Sequence, residues 1–237
     1  MALYRFFITT VFLFAVGIPA VNASIQISAT RVIYPAAEKN VSVHITNPGK
    51  YPVLLQSWTD DGNTEMRPDL MRTPFVLTPP LTRVNADAGQ TLRLSFVGPA
   101  LPTDRESLFW LNVLEIPPVG ETDKNQIQVA FRSRIKLFYR PASLDSNGAQ
   151  QAASQLRWQA RGNAVALINP TPYYVSAVSL SFTHGGKTTT VAASMVAPKS
   201  STDIPLPAGI ESSSVSNVKV ESINDYGSAV TTDIERQ

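Results

Sequence analysis

The stretch from Gln126 to Arg140 constrains the fold of this chain more than any other. Its odd-numbered positions are mainly apolar and its even-numbered positions mainly polar or basic, which is the period-two pattern of a long β-strand. Four of its residues are cations, namely Arg132, Arg134, Lys136 and Arg140. An edge strand can offer both open backbone groups and charge to a partner, whereas a central strand rarely needs such a charge. We therefore hypothesise that this strand is lent to another protein.

The N-terminal residues have the pattern of an export signal. Arg5 precedes an almost wholly apolar run over residues 6–18, and Ala23 supplies a small residue at a cleavage point. The alternative is an uncleaved membrane anchor, but the run is shorter than the roughly 20 residues that a spanning helix needs. We predict that residues 1–23 are cleaved and that no membrane insertion follows. Loss of Arg5 lowers the net charge from +2 to +1, too little to attract nucleic acid.

The remaining chain reads as short strands separated by turn residues. A first block over residues 24–143 contains seven or so predicted strands, the first of them from Ser24 to Ile33, and lacks a convincing helical pattern. Residues 144–154 are predicted to be a linker whose Ala and Gln could form a helical turn, and residues 155–237 form a smaller β-rich block. The predicted fold class is all-β, with two immunoglobulin-like sandwiches. Cysteine is absent, so each core must suffice without disulfides.

No constellation of catalytic or metal-binding residues is evident. The two histidines, His44 and His184, fit a strand surface and a Gly-Gly turn, and none of the common nucleophile, zinc or nucleotide motifs occurs. Asp60 and Asp61 could be imagined as calcium ligands, but the Asp-Asp-Gly-Asn run is typical of a plain turn. We predict that the protein is not an enzyme and needs neither a cofactor nor a metal.

Five segments resemble one known family, among them residues 29–34 (ATRVIY) and 78–80 (TPP). Residues 104–118, which read DRESLFWLNVLEIPP, closely resemble the signature of the periplasmic pilus chaperones, the PapD-like family. Residues 135–141 (IKLFYRP) are similar to the end of that family's last first-domain strand, and residues 223–227 (INDYG) to its second-domain motif. The resemblance implies two immunoglobulin-like domains set at an angle, with a cleft between them.

The resemblance also implies a function. Chaperones of this family work in the periplasm, where they bind pilus subunits, hold them folded and pass them to an outer-membrane usher. The subunit is an incomplete sandwich, and the chaperone supplies its missing strand by donor-strand complementation, a form of β-augmentation. An empty chaperone could instead cover the same strand by self-association, which the sequence does not decide.

Motif positions suggest which residues take part. Arg31 and Lys136 resemble the two cleft residues that anchor the subunit's terminal carboxylate, and the alternative is that both are ordinary solvated residues. Ile127, Val129 and Phe131 resemble the apolar side chains that fill the subunit's groove, and the alternative is that they pack into this domain's own core. We assign Ile135 and Leu137 to that core.

Three further expectations concern the same strand and its surroundings. Phe131 and Lys136 have opposite parity, so either twist or a bulge near Ser133 re-aims the chain, or the two side chains address different parts of the partner. Glu106, Arg140 and Asp225 match positions that in the family form a charge network between the domains, in which an exposed pair would contribute only about 0–1 kcal/mol. The alternative is that they are independent surface charges. The short connection over residues 117–125 resembles the family's subclass with a short F1-G1 loop.

Two other functional classes remain open. A pilus subunit or adhesin would also be exported and β-rich, but it should lack a strand and end in an apolar strand of its own. A secreted enzyme or glycan-binding module could use the same architecture, but it would need a clustered site.

Overall fold

A computed structural model of the protein describes residues 25–118 and 128–237. The predicted signal peptide, the predicted donor residue Ile127 and most of the connection before it therefore lie outside the described residues. Within the described ranges, no helix is long and apolar enough to cross a membrane.

The first domain is a sandwich of two sheets. Its strands, as far as the structure describes them, are β1 (Gln26–Ile27), β2 (Arg31–Pro35), β3 (Val41–Asn47), β4 (Val53–Asp60), β5 (Phe75–Thr78), β6 (Leu81–Val84), β7 (Ala88–Phe96), β8 (Ser107–Ile116) and β9 (Phe131–Arg140). One sheet has the order β1-β3-β7-β5 and the other the order β2-β9-β8-β4-β6. Antiparallel pairing dominates, and the one parallel pair in this domain joins β2 to β9.

The single strand predicted from Ser24 to Ile33 is wrong, because the chain changes sheets within it. Gln26 and Ile27 pair with β3 in one sheet, whereas β2 begins at Arg31 and pairs with β9 in the other. Within the described ranges, this change leaves one edge of β9 without a neighbouring strand before Lys136. The opposite edge pairs with β8 along its whole length, but no described strand lies beside residues 131–135 on the β2 side.

Strand β9 is shorter than the alternating pattern suggests. Residues 128–130 are described outside any strand, so the prediction of a strand from Gln126 is wrong at its first part. Pairing with β8 is continuous from Phe131 to Tyr139, which excludes a bulge near Ser133. Phe131 and Lys136 therefore point to opposite faces of the sheet.

Alternating apolar residues build the first core. Leu137 is fully buried and Ile135 packs against the same cluster, which confirms the prediction that both belong to the core. Tyr34 lies at its centre, where its ring packs edge-on against Phe75 with centroids 5.4 Å apart. The Tyr34 hydroxyl accepts a hydrogen bond from the amide of Phe96, which ties one sheet to the other.

The second domain is a smaller sandwich. Its strands are β10 (Arg157–Arg161), β11 (Ala164–Asn169), β12 (Ser176–His184), β13 (Lys187–Ala192), β14 (Ser200–Pro205), β15 (Ser216–Ile223), β16 (Ala229–Asp233) and β17 (Glu235–Arg236). They form sheets of order β14-β11-β10-β17 and β13-β12-β15-β16. Leu167, Leu180 and Phe182 are fully buried between them, so this domain has a core of its own.

A short helix follows the first domain. Helix α1 (Ser146–Gln151) begins after Asp145, whose carboxylate accepts the amide hydrogen of Gly148 at 2.7 Å, a standard N-cap. A 3-10 turn over Ala152–Gln155 continues it, and Ala152 is buried in the second core. The residues that we predicted to be a linker therefore pack against the second domain.

Candidate functional site

Arg31 and Lys136 lie side by side at the junction of the two domains. They are direct partners in the parallel pairing of β2 and β9. The second domain meets both of them: Arg31 Nη1 donates to the carbonyl of Ile223 at 2.7 Å and to Ser176 Oγ at 3.2 Å, and Lys136 Nζ donates to Ser176 Oγ at 3.4 Å. The structure thus brings together the two residues that the sequence assigned to a carboxylate anchor.

Within the described ranges, neither Arg31 nor Lys136 touches an anionic group. Among the described residues, no carboxylate forms an ion pair with Arg31 or Lys136. Burial lowers the pKa of Lys136, and the neighbouring Arg31 lowers it further. Burial also lowers the pKa of Arg31, against the weaker opposing field of Asp225. Two half-buried positive charges without a counter-ion form a site to which an anion would bind favourably.

A cavity of about 260 Å³ extends from Arg31 between the domains. The rings of Phe138 and Tyr174 meet there across the interface, with centroids 5.5 Å apart. The Nε atom of Arg31 is buried with no hydrogen-bond partner in the described structure. The anchor region is therefore an interdomain site that holds unused hydrogen-bond donors.

Glu106, Arg140 and Asp225 form one network, in which the Arg140–Glu106 pair is buried and Asp225 is partly exposed. Arg140 donates to Glu106 through Nε at 2.8 Å and Nη2 at 2.7 Å, and through Nη1 to Asp225 at 2.9 Å. The side chains of Arg140 and Glu106 are only 6% and 2% exposed. The three residues are therefore not independent surface charges, and the small contribution of an exposed pair does not apply to Arg140 and Glu106. Breaking a buried pair by removing one partner costs about 3–5 kcal/mol.

Glu106 joins the domains through its backbone as well. Its amide donates to the carbonyl of Pro172, and its carboxylate accepts from the amide of Tyr174, both across the interface. Burial raises the pKa of the Glu106 carboxyl, and Arg140 and the Tyr174 amide oppose this rise. The network fixes a first-domain strand against the loop that precedes β12.

The predicted donor residues that the structure describes are exposed. Val129 and Phe131 are 52% and 57% accessible, and neither belongs to a buried core cluster. Phe131 is on the same face of β9 as the core residue Leu137, but it is exposed and does not belong to the core cluster. Phe131 begins β9 and Val129 precedes it, so both exposed side chains are accessible to another chain.

Sequence reasoning missed a buried cluster around Asp60, which it treated as a turn residue. Asp60 is inaccessible and accepts hydrogen bonds from Arg134 at 2.6 Å and from Asn112 at 2.6 Å. The guanidinium of Arg134 also stacks on Trp110, 3.9 Å from its centroid. Two of the cations in β9, Arg132 and Arg134, therefore form ion pairs with Asp60 of the same domain. The spacing of Arg132 and Arg134, which places both on one face of the strand, was the sequence feature that could have indicated a shared partner.

Ser176 was also missed, because no local pattern marks it. It is 4% exposed at the start of β12 and contacts both anchor cations from the other domain. Arg31 and Ser176 are 145 positions apart in the chain, and a contact at that separation produces no periodic pattern in the sequence.

Known proteins share this architecture and sequence. A family model described as Pili and flagellar-assembly chaperone, PapD N-terminal domain, matches residues 24–145, and one for Pili assembly chaperone PapD, C-terminal domain, matches residues 151–234. The chain is 41% identical over 224 residues to the chaperone protein MrkB of Klebsiella pneumoniae, which covers 92% of this chain and 94% of MrkB.

Solved structures give the same relationship. The CupB2 chaperone of Pseudomonas aeruginosa has a TM-score of 0.76 at 39% identity and covers 90% of this chain and 100% of its own. A structure of the Salmonella enterica SafA pilin in complex with the SafB chaperone contains a chain with a TM-score of 0.75 at 30% identity, over 89% of this chain and 95% of that one. The protein therefore belongs to the PapD-like family of pilus assembly chaperones.

Proposed function

We propose that this protein binds pilus subunits by lending them the open edge of β9. The observation that carries the proposal is the edge of β9 over residues 131–135, beside which no described strand pairs on the β2 side. This edge ends at Arg31 and Lys136, neither of which has a carboxylate partner among the described residues. A sheet edge can accept a further strand through its backbone groups, and side chains beside it supply the apolar contact. The SafA–SafB complex, in which a pilin and a related chaperone are bound together, supports this reading.

The geometry sets the direction of the bound strand. A terminal carboxylate held at Lys136 places the preceding residues of the guest alongside β9 toward Phe131. The guest then runs in the same direction as β9, and it lies in line with β2, which begins at Arg31. The guest strand would thus extend the sheet beside residues 131–135, the position that this chain leaves vacant because β1 pairs in the other sheet.

The side chains near the edge divide their roles by face. Val129 and Phe131 are the exposed apolar groups that would fill a groove in the subunit. Full burial of such side chains contributes about 1.5–3 kcal/mol each before ordering costs. Lys136, on the opposite face, would hold the carboxylate and thereby fix the register of the apolar residues.

The charges of the anchor favour a terminal carboxylate over a neutral group. A carboxylate that contacts both cations would gain charge-assisted hydrogen bonds and would relieve the repulsion between Arg31 and Lys136. It would also give an acceptor to donors that are unused in the free protein.

The wider cellular role follows from the same proposal. The export pattern of residues 1–23 favours the periplasm, and the subunit would pass to an outer-membrane usher when a tighter strand replaces β9. The chaperone would act without catalysis or cofactor, since the energy comes from completion of the subunit's fold. When empty, a second copy could cover the open edge. The short F1-G1 loop subclass stays a prediction.

Co-purification with a pilin tests the proposal. Arg31→Ala and Lys136→Ala should each abolish capture of a co-expressed subunit, and the variants should remain folded. Arg93→Ala, which removes an exposed cation from β7, is the matched control and should capture normally. Unchanged capture by both anchor variants would refute the anchor.

A further inference from the structure

The first half of β9, residues 131–135, makes few contacts through its edges and its inward face. Within the described ranges, β8 is the one strand that pairs with it, because β2 begins beside Lys136. Phe131 is exposed on the inward face, and β9 joins the core cluster only from Ile135 onward. A segment with few buried apolar contacts is expected to open easily.

A buried carboxylate holds the outward face of the same half. Asp60, the last residue of β4, is inaccessible to solvent. Arg134 donates to it through Nε at 3.0 Å and through Nη2 at 2.6 Å. This two-point contact fixes the orientation of the guanidinium as well as its distance. Because β8 lies between β4 and β9, the contact reaches across a whole strand.

Arg132 is connected to the same carboxylate through Asn112. Its Nε donates to Asn112 Oδ1 at 2.9 Å, and Asn112 Nδ2 donates to Asp60 at 2.6 Å. The direct approach of Arg132 to Asp60 is longer, at 3.8 Å. Asp60 is thus the shared acceptor that connects both arginines of residues 131–135 to the neighbouring strands.

Two tryptophan rings add to these contacts. The guanidinium of Arg134 lies 3.9 Å from the ring centroid of Trp110 on β8, and that of Arg132 lies 5.1 Å from the ring centroid of Trp58 on β4. A guanidinium over a ring face is attracted to it. Each arginine on the outward face of residues 131–135 is therefore fixed by an acceptor and by a ring.

We propose that Asp60 is a positioning residue for subunit capture, which acts through Arg134 and Arg132 to hold residues 131–135 in strand geometry before a guest arrives. This inference rests on the proposed function. Asp60 is buried and would not touch the guest, so its contribution is pre-organisation. A segment that adopts the competent conformation in only a fraction of the molecules binds with an affinity reduced by that fraction.

The inference predicts which rate constant changes. Loss of the Asp60 charge lowers the fraction of molecules that can accept a guest, so association should become slower. In the complex the guest strand itself pairs with β9, so dissociation should change little. Loss of a side chain that contacts the guest, as in Phe131→Ala, should instead act mainly on dissociation.

Exchange and capture kinetics of matched variants test this. Asp60→Asn keeps the shape of the side chain and removes its charge. Arg134→Lys keeps the charge but loses the two-point contact, and it serves as the second variant should Asp60→Asn fail to fold. Val84→Ala is the control, because Val84 is buried on β6 at the opposite edge of the same sheet, where its truncation lowers overall stability without touching Asp60.

Amide hydrogen exchange is measured in the free variants, and association and dissociation are measured with a fluorescently labelled pilin subunit released from denaturant. Asp60→Asn should speed exchange at residues 131–135 about tenfold or more, as for a lost hydrogen bond to a charged group. It should slow association about tenfold and change dissociation by less than about twofold. Arg134→Lys should act in the same direction, and the double variant should be no slower than Asp60→Asn, since both residues act through one contact. Val84→Ala should change neither exchange at residues 131–135 nor association.

Other outcomes separate the two proposals. Unchanged exchange at residues 131–135 in Asp60→Asn, or faster exchange without slower association, would overturn the role of Asp60. An equal slowing of association by Val84→Ala would assign the effect to overall stability and would also overturn it. If the wild-type protein captures the pilin without slower exchange at residues 131–135, the proposed function fails and the role of Asp60 falls with it.

Discussion

Replacement of Phe131 by alanine should weaken subunit binding without weakening the fold. Phe131 is 57% exposed, so about 110 Å² of a side chain of roughly 200 Å² remains to be buried by a guest. At about 25 cal/mol per Å², this area corresponds to about 3 kcal/mol. Alanine retains part of it, which leaves a loss of about 2 kcal/mol, or an affinity about 30-fold weaker.

The assay compares binding with stability. A fluorescently labelled pilin subunit is titrated with each variant, and unfolding by urea is measured in parallel. The free energy of unfolding should change by less than about 0.5 kcal/mol, as for other surface substitutions.

Two valines provide a matched comparison. Val129 and Val76 are both about half exposed in the first domain, but Val76 is on β5, in the sheet that does not contain β9. Val129→Ala should weaken binding and Val76→Ala should not. Unchanged affinity of Phe131→Ala for the pilin, together with a clear loss of stability, would show that this side chain serves its own core.

Three further predictions concern charge. Burial and the neighbouring Arg31 lower the pKa of Lys136 below the ordinary lysine value of 10.5. The affinity for a carboxylate peptide should therefore begin to fall at a pH below 10.5 as the pH rises. Lys136→Arg should retain its affinity at higher pH in the same titration. Burial opposes ionisation of Asp60, but hydrogen bonds from Arg134 and Asn112 outweigh burial and lower the pKa of Asp60. The ionised Asp60 therefore stabilises the folded protein above the ordinary aspartate pKa, and this stabilisation is lost as the pH falls through the lowered pKa. Urea unfolding across acidic pH should show this dependence in the wild-type protein but not in Asp60→Asn, which should also be about 1–3 kcal/mol less stable at neutral pH. Arg140→Ala should cost about 3–5 kcal/mol, since it leaves Glu106 buried and unpaired, and thermal unfolding of Arg140→Ala against Arg93→Ala measures this difference.

Periodicity predicted the strands whose two faces differ clearly. Alternation assigned Ile135 and Leu137 to the core, because apolar residues at every second position can all reach one buried face. The short strand β6 was not predicted, since only one of its four residues is buried and its two faces differ little in hydrophobicity. The change of sheets between Ile27 and Arg31 was also missed, because both segments alternate and only long-range pairing separates them.

The charged residues of β9 were interpreted too simply. Four cations suggested a strand that lends its charge to a partner, yet Arg132 and Arg134 contact Asp60, and Arg140 contacts Glu106 and Asp225. Lys136 is the cation of β9 that has no carboxylate partner within the described residues. Sequence alone shows where charges fall along a strand, but their partners depend on which elements the fold brings beside them.

Amide hydrogen exchange along β9 tests the central claim most directly. The exchange rates of residues 131–135 are measured in the free protein and in its complex with a captured pilin, with β5 and β6 as the reference edge strands. If β9 lends its edge to the pilin, amide exchange at residues 131–135 should slow strongly on capture. Exchange at the reference strands β5 and β6 should not change. Unchanged exchange at residues 131–135 in a stable complex, with slowing at β5 or β6 instead, would contradict the account.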